Sequence, residues 1–248
     1  DITIDGEQYL LSSTRWTRTL DIRSGSLRRT FQLKLPSGGL VVLTNITFVS
    51  QHSPQRSFQR WRAEIEDSES THKISLAFHC RHDRPVSTTS DEDPRKGHQF
   101  AADNAPIGTI TANPNELVSR LKTRSSGLQL TTVLVTDAAP EHVTTAVLDP
   151  HAASMVISGS LSRSEPLETS LNISVSLAAA NKSDCDENLT ATQWIDFDAA
   201  FHAHQELVHR FWSHSDIRLD GNPDAQQALR WHLFQLFQAS PLSSNLGI

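Results

Sequence analysis

The sequence predicts a mainly β protein, a large antiparallel β-sandwich that gives way to helices late in the chain. Two observations predict it. From Asp1 to about Leu189, short runs rich in Val, Ile, Thr and Leu alternate with turn clusters, the spacing of a sandwich or barrel of many strands. Near Thr192 the apolar period lengthens from that of a strand to that of a helix.

The clearest strands are SLRRTFQLKL and LVVLTNITFVS, joined by a Ser37–Gly39 turn and read together as a hairpin. RWRAEIEDSESTHKISLAFHC repeats that logic, with Trp61, Ala63 and Ile65 on one face of its first strand and Ile74, Leu76 and Phe78 on one face of its second. Asp83 to Gln99 has almost no apolar residue and two prolines, and reads as a surface insertion between strands. LQLTTVLVTD, SMVISGSLS and SLNISVSLAAA are later strands. Trp194, Phe197, Phe201, Leu207, Val208, Phe211 and Trp212 then recur at helical spacing, with Asp196 or Asp198 as N-cap. After the break SDIRLDGNPD, Asn222 caps and Pro223 opens a second helix, AQQALRWHLFQLFQAS, which Pro241 terminates. Its stripe is Leu229, Leu233, Leu236 and Phe237, and Trp231 and Phe234 lie off it, so this helix expects neighbours on several sides. The organisation that follows is a sandwich over 1–191, a helical linker over 192–221, and the start of a further helical domain over 222–248.

With 248 residues, 37% of them hydrophobic, the chain can build a sizeable core. A formal charge of −6, with Lys and Arg scattered, argues against nucleic acid and anionic membrane surfaces as partners. No stretch reaches the roughly 18 to 20 apolar residues of a membrane span, and DITIDGEQYL lacks the features of a signal peptide, so the expectation is a soluble chain. Cys80 and Cys185 make no disulfide framework and read as two inert thiols of a reducing, cytoplasmic compartment. Against that stand glycosylation sequons at Asn45, Asn172, Asn181 and Asn188, although Asn172 lies in strand-like text. Both ends read as those of a fragment: the chain starts without Met, and Leu246-Gly247-Ile248 closely follows a helix.

Little in the sequence announces chemistry. His79, Cys80, His82 and Asp83 form the tightest cluster of metal-ligand types, but His79 and Cys80 face opposite sides of a strand and no second pair at finger spacing exists. His202, Glu206 and His209 can share a helix face without any H-E-x-x-H pattern, and a solvated face is the simpler reading. Glu64 and Glu66 lie on the exposed side of their strand. Trp16 and Trp61 offer surfaces on which a sugar can stack, though core packing is the default role for each. No nucleophile elbow, phosphate-binding glycine loop or dinucleotide fingerprint occurs, so the residues themselves assign no catalytic, cofactor-binding or metal-binding position.

Three stretches carry a resemblance. TLDIRSGSLRR, Thr19 to Arg29, resembles the L-D-M-R-x-G-x-L-x-R segment of glycoside hydrolase family 65, with Ile22 in place of methionine. RSFQRWRAEIE, Arg56 to Glu66, is similar to a following strand of that family. The most specific match is Phe211 to Pro241, which resembles the linker and first barrel helix, W-x-x-S-D-I-x-I-x-G-D-x-x-x-Q-x-A-L-R-F-x-L-F-x-L. Trp212, Ser215, Asp216, Ile217, Gly221, Gln226 or Gln227, Leu229, Arg230, Phe234 and Leu236 carry it.

The family includes maltose, trehalose and kojibiose phosphorylases and some hydrolases. The resemblance implies a galactose mutarotase-like super-sandwich, a helical linker and an (α/α)6 barrel, of which 222–248 would be the start. It implies inverting attack by inorganic phosphate or water on an α-glucoside disaccharide, with a carboxylic acid protonating the leaving oxygen. Neither that acid nor the phosphate contacts match anything here, so the fragment is expected to be inactive alone, without a cofactor, and to serve its barrel, the sugar-site rim and a homodimer. The alternatives are a stand-alone carbohydrate-binding sandwich and a subunit-interaction module.

Overall fold

The computed structural model describes residues 1–66, 70–81, 107–122, 127–149, 151–178 and 194–239. These residues form two antiparallel sheets, of five and eight strands, and two α-helices, and the chain divides into two compact units.

The first unit comprises residues 1–9, 72–160 and 173–194. Strands β1 (Ile2–Ile4) and β2 (Glu7–Tyr9) form a hairpin over Asp5 and Gly6, whose φ angles of 50° and 87° are those of the tight turn that an Asp-Gly pair favours. β1 also pairs with β7 (His72–Arg81), setting Ile2 opposite Leu76 and Ile4 opposite Ile74, all buried. With β11 (Val143–Asp149) and β12 (Ala152–Leu161) they complete the five-stranded sheet, in the order β11-β12-β7-β1-β2. Asp5 accepts the Lys73 N–H at 2.8 Å and pairs with His72 Nδ1 at 2.7 Å, and the His72 bond first of all holds its carboxyl below the usual range. β8 (Ile107–Asn113), β9 (Glu116–Lys122) and β10 (Gln129–Thr136) form an antiparallel meander, turned at Asn115, whose φ is 62°. Thr145 Oγ1 donates to the Asn113 carbonyl at 3.0 Å and ties β11 to β8.

The second unit comprises residues 10–71, 161–172 and 195–248. β3 (Arg15–Asp21), β4 (Ser26–Lys34), β5 (Leu40–Val49) and β6 (Arg56–Glu66) follow one another antiparallel, and β13 (Leu167–Ala178) comes after β6. The β4–β5 hairpin is the expected one, with Gly38 at φ 96° closing its turn. Strand alternation divides the residues: Phe31, Leu33, Val41, Leu43, Ala63 and Ile65 are buried on one face, and Phe48 and Phe58 on the other.

Helix α1 (Phe197–Ser215) covers the second face. Asp196 is its N-cap, accepting the Ala199 N–H at 2.9 Å, and Trp194 lies ahead of the helix. Asp198, the other capping candidate, instead accepts both Nη groups of Arg60 at 2.9 Å, while that guanidinium lies 4.1 Å over the Phe197 ring. Phe197 meets Phe48 edge-on at 5.5 Å, Phe201 lies 5.1 Å from Phe48, and Phe48 stacks on Phe58 at 5.1 Å. Each such ring taken out of water contributes roughly 1.5–3 kcal/mol. One polar side chain enters this aromatic layer: His204, 2% exposed, stacks on Phe48 at 4.9 Å. Its Nδ1 accepts the Gln51 N–H at 3.2 Å and its Nε2 donates to the Gly25 carbonyl at 3.3 Å, which makes it the Nε2-protonated neutral ring.

Helix α2 (Pro223–Ala239) is capped by Asn222, as expected, through an Ala225 N–H bond of 3.0 Å. Its buried stripe differs from the expected one. Phe234 and Phe237 face Val208, and Phe237 stacks on Phe211 at 4.4 Å, whereas Leu236 is 62% exposed and Trp231 is also exposed. The aromatic end of α1 offers ring surface, so the off-stripe Phe234 is buried together with Phe237 of the expected stripe.

Three further expectations change. β6 and β7, read as a second hairpin, lie in different sheets, because β7 sets its buried Ile74 and Leu76 against β1 rather than against β6. Trp16, expected in the core, is 47% exposed on β3, every residue of which is exposed. Asn45 and Asn172 are fully buried and cannot present a glycan acceptor in the folded chain. The 83–99 loop, Pro241, Cys185, Asn181 and Asn188 lie outside the described residues.

Gly25 and His204 generate two predictions. Gly25 has φ 65°, and a Cβ there would sit 2.6 Å from His204 Nε2; Gly25→Ala should therefore cost about 1–3 kcal/mol in urea unfolding, and an unchanged midpoint would contradict the contact. Burial lowers the His204 pKa below its ordinary 6.5. The unfolded chain then takes up a proton at a pH where the folded ring resists it, so this stability is fully present above 6.5 and declines as pH falls below it. An NMR titration of the imidazole should show a midpoint below 6.5.

Candidate functional site

The end of α1, the linker 216–222, the start of α2 and the β3–β4 turn bring polar groups together, all in the second unit. Trp212 Nε1–H donates to the Ile22 carbonyl at 2.7 Å and fixes the last turn of α1 to that β-turn. Asp216 ends the helix, its N–H bonded to the Trp212 carbonyl at 3.1 Å, and its backbone turns extended. Arg230 on α2 grips the Asp216 carboxylate with both prongs, Nε to Oδ1 at 2.8 Å and Nη2 to Oδ2 at 2.7 Å. That bond first, and the nearby positive charges of Arg230, Arg218 and Arg23 after it, hold the Asp216 pKa low.

Gln226 completes the arrangement. Its Nε2 donates to the Ile217 carbonyl at 2.9 Å and its Oε1 accepts the Leu219 N–H at 2.7 Å, so one amide side chain stands in for a strand partner along the linker. Gly221 takes φ 83° just before the Asn222 cap. Between these elements opens a cavity of about 600 Å³, walled by Ile22, Trp212 and Pro223 on its apolar side and by Arg23, Arg218 and Gln227 among its polar groups.

The residues singled out from sequence fall elsewhere. His79 lies 3.1 Å from Asp1, while Cys80 bonds Ser119 and its thiol is pushed up by burial; His82 and Asp83 lie outside the described residues. His202 comes within 3.7 Å of Glu206 on an exposed face, and His209 lines the cavity instead. Glu64 is held by Arg62 at 2.8 Å, and Glu66 is exposed. Trp16 and Trp61 lie on one sheet face with Phe31 between them, at 6.4 and 6.5 Å. Among the described residues no group of three or more His, Cys, Asp or Glu side chains is placed to hold a metal ion. No helix among them is long and apolar enough to cross a membrane.

Sequence reasoning missed Arg23, Arg218 and His204. Their signal was present only in part: Arg23 and Gly25 stand in TLDIRSGSLRR and Arg218 in SDIRLDG, two segments nearly 200 residues apart that meet only in the fold.

The comparisons with known proteins bear on what this arrangement belongs to. A family model described as the N-terminal domain of glycosyl hydrolase family 65 matches residues 1–211. Two curated relatives, uncharacterized glycosyl hydrolases from two strains of Mycobacterium tuberculosis, are each 25% identical over 253 residues, covering 93% of this chain. This chain spans only 30% of the length of those relatives. A solved structure from the human microbiome, described as a kojibiose phosphorylase, superposes with a TM-score of 0.77 at 17% identity over 96% of this chain and 30% of that one, a likeness of fold. Matched over the greater part of its length, the chain belongs to glycosyl hydrolase family 65, whose N-terminal domain it carries.

Proposed function

We propose that this chain is the non-catalytic front part of a phosphorylase or hydrolase acting on α-glucoside disaccharides of the maltose, trehalose or kojibiose type, and that its linker carries and orients a catalytic helical barrel. In this reading residues 1–191 are the sandwich, 192–221 the linker and 222–248 the beginning of the barrel. The observation that carries it is the use made of the family motif. Trp212, Asp216, Gln226 and Arg230 spend their polar atoms on one another and on backbone groups, which defines the path from α1 into α2 and leaves none of the four as an acid or nucleophile. Support also comes from the 30% share of the relatives' length that the chain covers, and from the outward-facing Leu236 and Trp231 of α2, apolar surface of the kind a further domain covers.

Phosphate or water would then attack the sugar within the barrel, with a carboxylic acid there protonating the leaving oxygen. A second copy of the chain is the partner we propose besides the barrel, because β3 is an edge strand exposed along its whole length. The unpaired Cys80 supports the reducing cytoplasm as its compartment.

Incubated with maltose, trehalose or kojibiose, with and without inorganic phosphate, the 248-residue chain should release no glucose and no glucose phosphate; turnover would overturn the proposal. Breaking the grip on the linker should loosen α2 while the sandwich persists. Arg230→Met should speed amide exchange at Leu219, whose N–H Gln226 holds, and leave strand amides of β4 and β5 protected, and unchanged exchange at Leu219 would show that the pair does not hold the linker.

A further inference from the structure

The cavity beside the linker has a character that a passive joint does not require. Arg23, Arg218 and Arg230 bring three guanidinium groups to its lining against the single carboxylate of Asp216, in a chain whose net charge is −6. Arg230 is committed to Asp216 through both prongs. The guanidinium groups of Arg23 and Arg218 have no carboxylate partner among the described residues, although they come from different elements, the β3–β4 turn and the linker. Both line the same cavity as Asp216, whose pKa their positive charges help to lower. Ile22, the Trp212 ring and Pro223 give the same cavity an apolar lining, and Gln227 adds an amide not used by the linker. The Trp212 ring is oriented by its Nε1–H bond to the Ile22 carbonyl. At about 600 Å³ the space falls within the range of small-molecule sites, about 300–1,000 Å³, whose walls are likewise mostly apolar with a few converging polar groups.

We propose that this cavity binds a compact organic anion, its carboxylate or phosphate head held by Arg23 and Arg218 and its body lying on the Trp212, Ile22 and Pro223 wall. Guanidinium groups are the side chains best matched to such heads, since their planar fork donates two parallel bonds to a pair of oxygens. This proposal does not rest on the catalytic reading above.

Calorimetric titration of the 248-residue chain with phenyl phosphate, benzoate, inorganic phosphate and benzyl alcohol separates head from body. Phenyl phosphate or benzoate should bind once per chain, about tenfold more tightly than inorganic phosphate and with no matching signal from benzyl alcohol. Arg23→Gln and Arg218→Gln should each weaken that binding about tenfold, the loss of one charge-assisted contact. Both side chains are exposed, so unchanged thermal midpoints can confirm that the variants are folded. Lys34→Gln, on an exposed position of β4, should leave the affinity unchanged. Absence of saturable binding, affinity that ignores both arginine substitutions, or equal loss with Lys34→Gln would each overturn the site. Disaccharide turnover by the chain would overturn the proposed function and leave this titration intact.

Discussion

The seating of His204 between the Phe48 ring and the Gly25 carbonyl is the contact on which the helical part of the molecule depends. Apolar burial alone would hold α1 on the sheet without choosing its rotation, because the hydrophobic effect has no direction. An imidazole that must satisfy both nitrogens away from water does choose: Nδ1 reaches the Gln51 N–H and Nε2 the Gly25 carbonyl only in one register of the helix. Gly25 is the complementary part, since only a residue without Cβ leaves room for the ring and adopts its positive φ at little strain. With α1 set, Trp212 two turns on falls against Ile22, and Phe211 and Val208 present the surface that α2 packs against.

From there the structure relies on directional polar contacts more than on burial. Asp216 and Arg230 are partly exposed, where solvent screening keeps the stability an ion pair contributes small, yet the bidentate geometry fixes where α2 starts. Gln226 acts in the same sense by pairing backbone groups of a linker that has no strand beside it. The motif that relates this chain to its family is therefore spent on geometry. Its acids and bases are therefore occupied with one another, and two arginines from the same segments stand out by being left over.

Much of the architecture was legible. Alternation identified the β4–β5 hairpin, β6, β7, β10, β12 and β13, and the change of period located both helices, with Asn222 and Pro223 marking the start of the second. Pairing was not legible. Ile74 and Leu76 announce a buried strand face but do not say whether it meets β6 or β1, because an alternating pattern specifies a face and not a neighbour. The meander of β8 and β9 escaped notice for the opposite reason: IGTITAN and ELVSRLK are short and weakly patterned, and gain their partners only along the whole ladder. Trp16 was misjudged because size and apolarity favour burial, whereas its place on an edge strand keeps it in water.

By itself the sequence determined the strand-to-helix order of the chain, most of its strands, the cap of the second helix and the family, since all of these are written in local periodicity and in contiguous motifs. Tertiary structure alone decided that Phe234 rather than Leu236 is buried, that Asp198 serves Arg60 rather than the helix cap, and that Arg23 meets Arg218 across one cavity. The physical reason is that burial, hydrogen-bond choice and charge proximity depend on distances between segments far apart in the chain, and no local pattern encodes a distance that only folding creates.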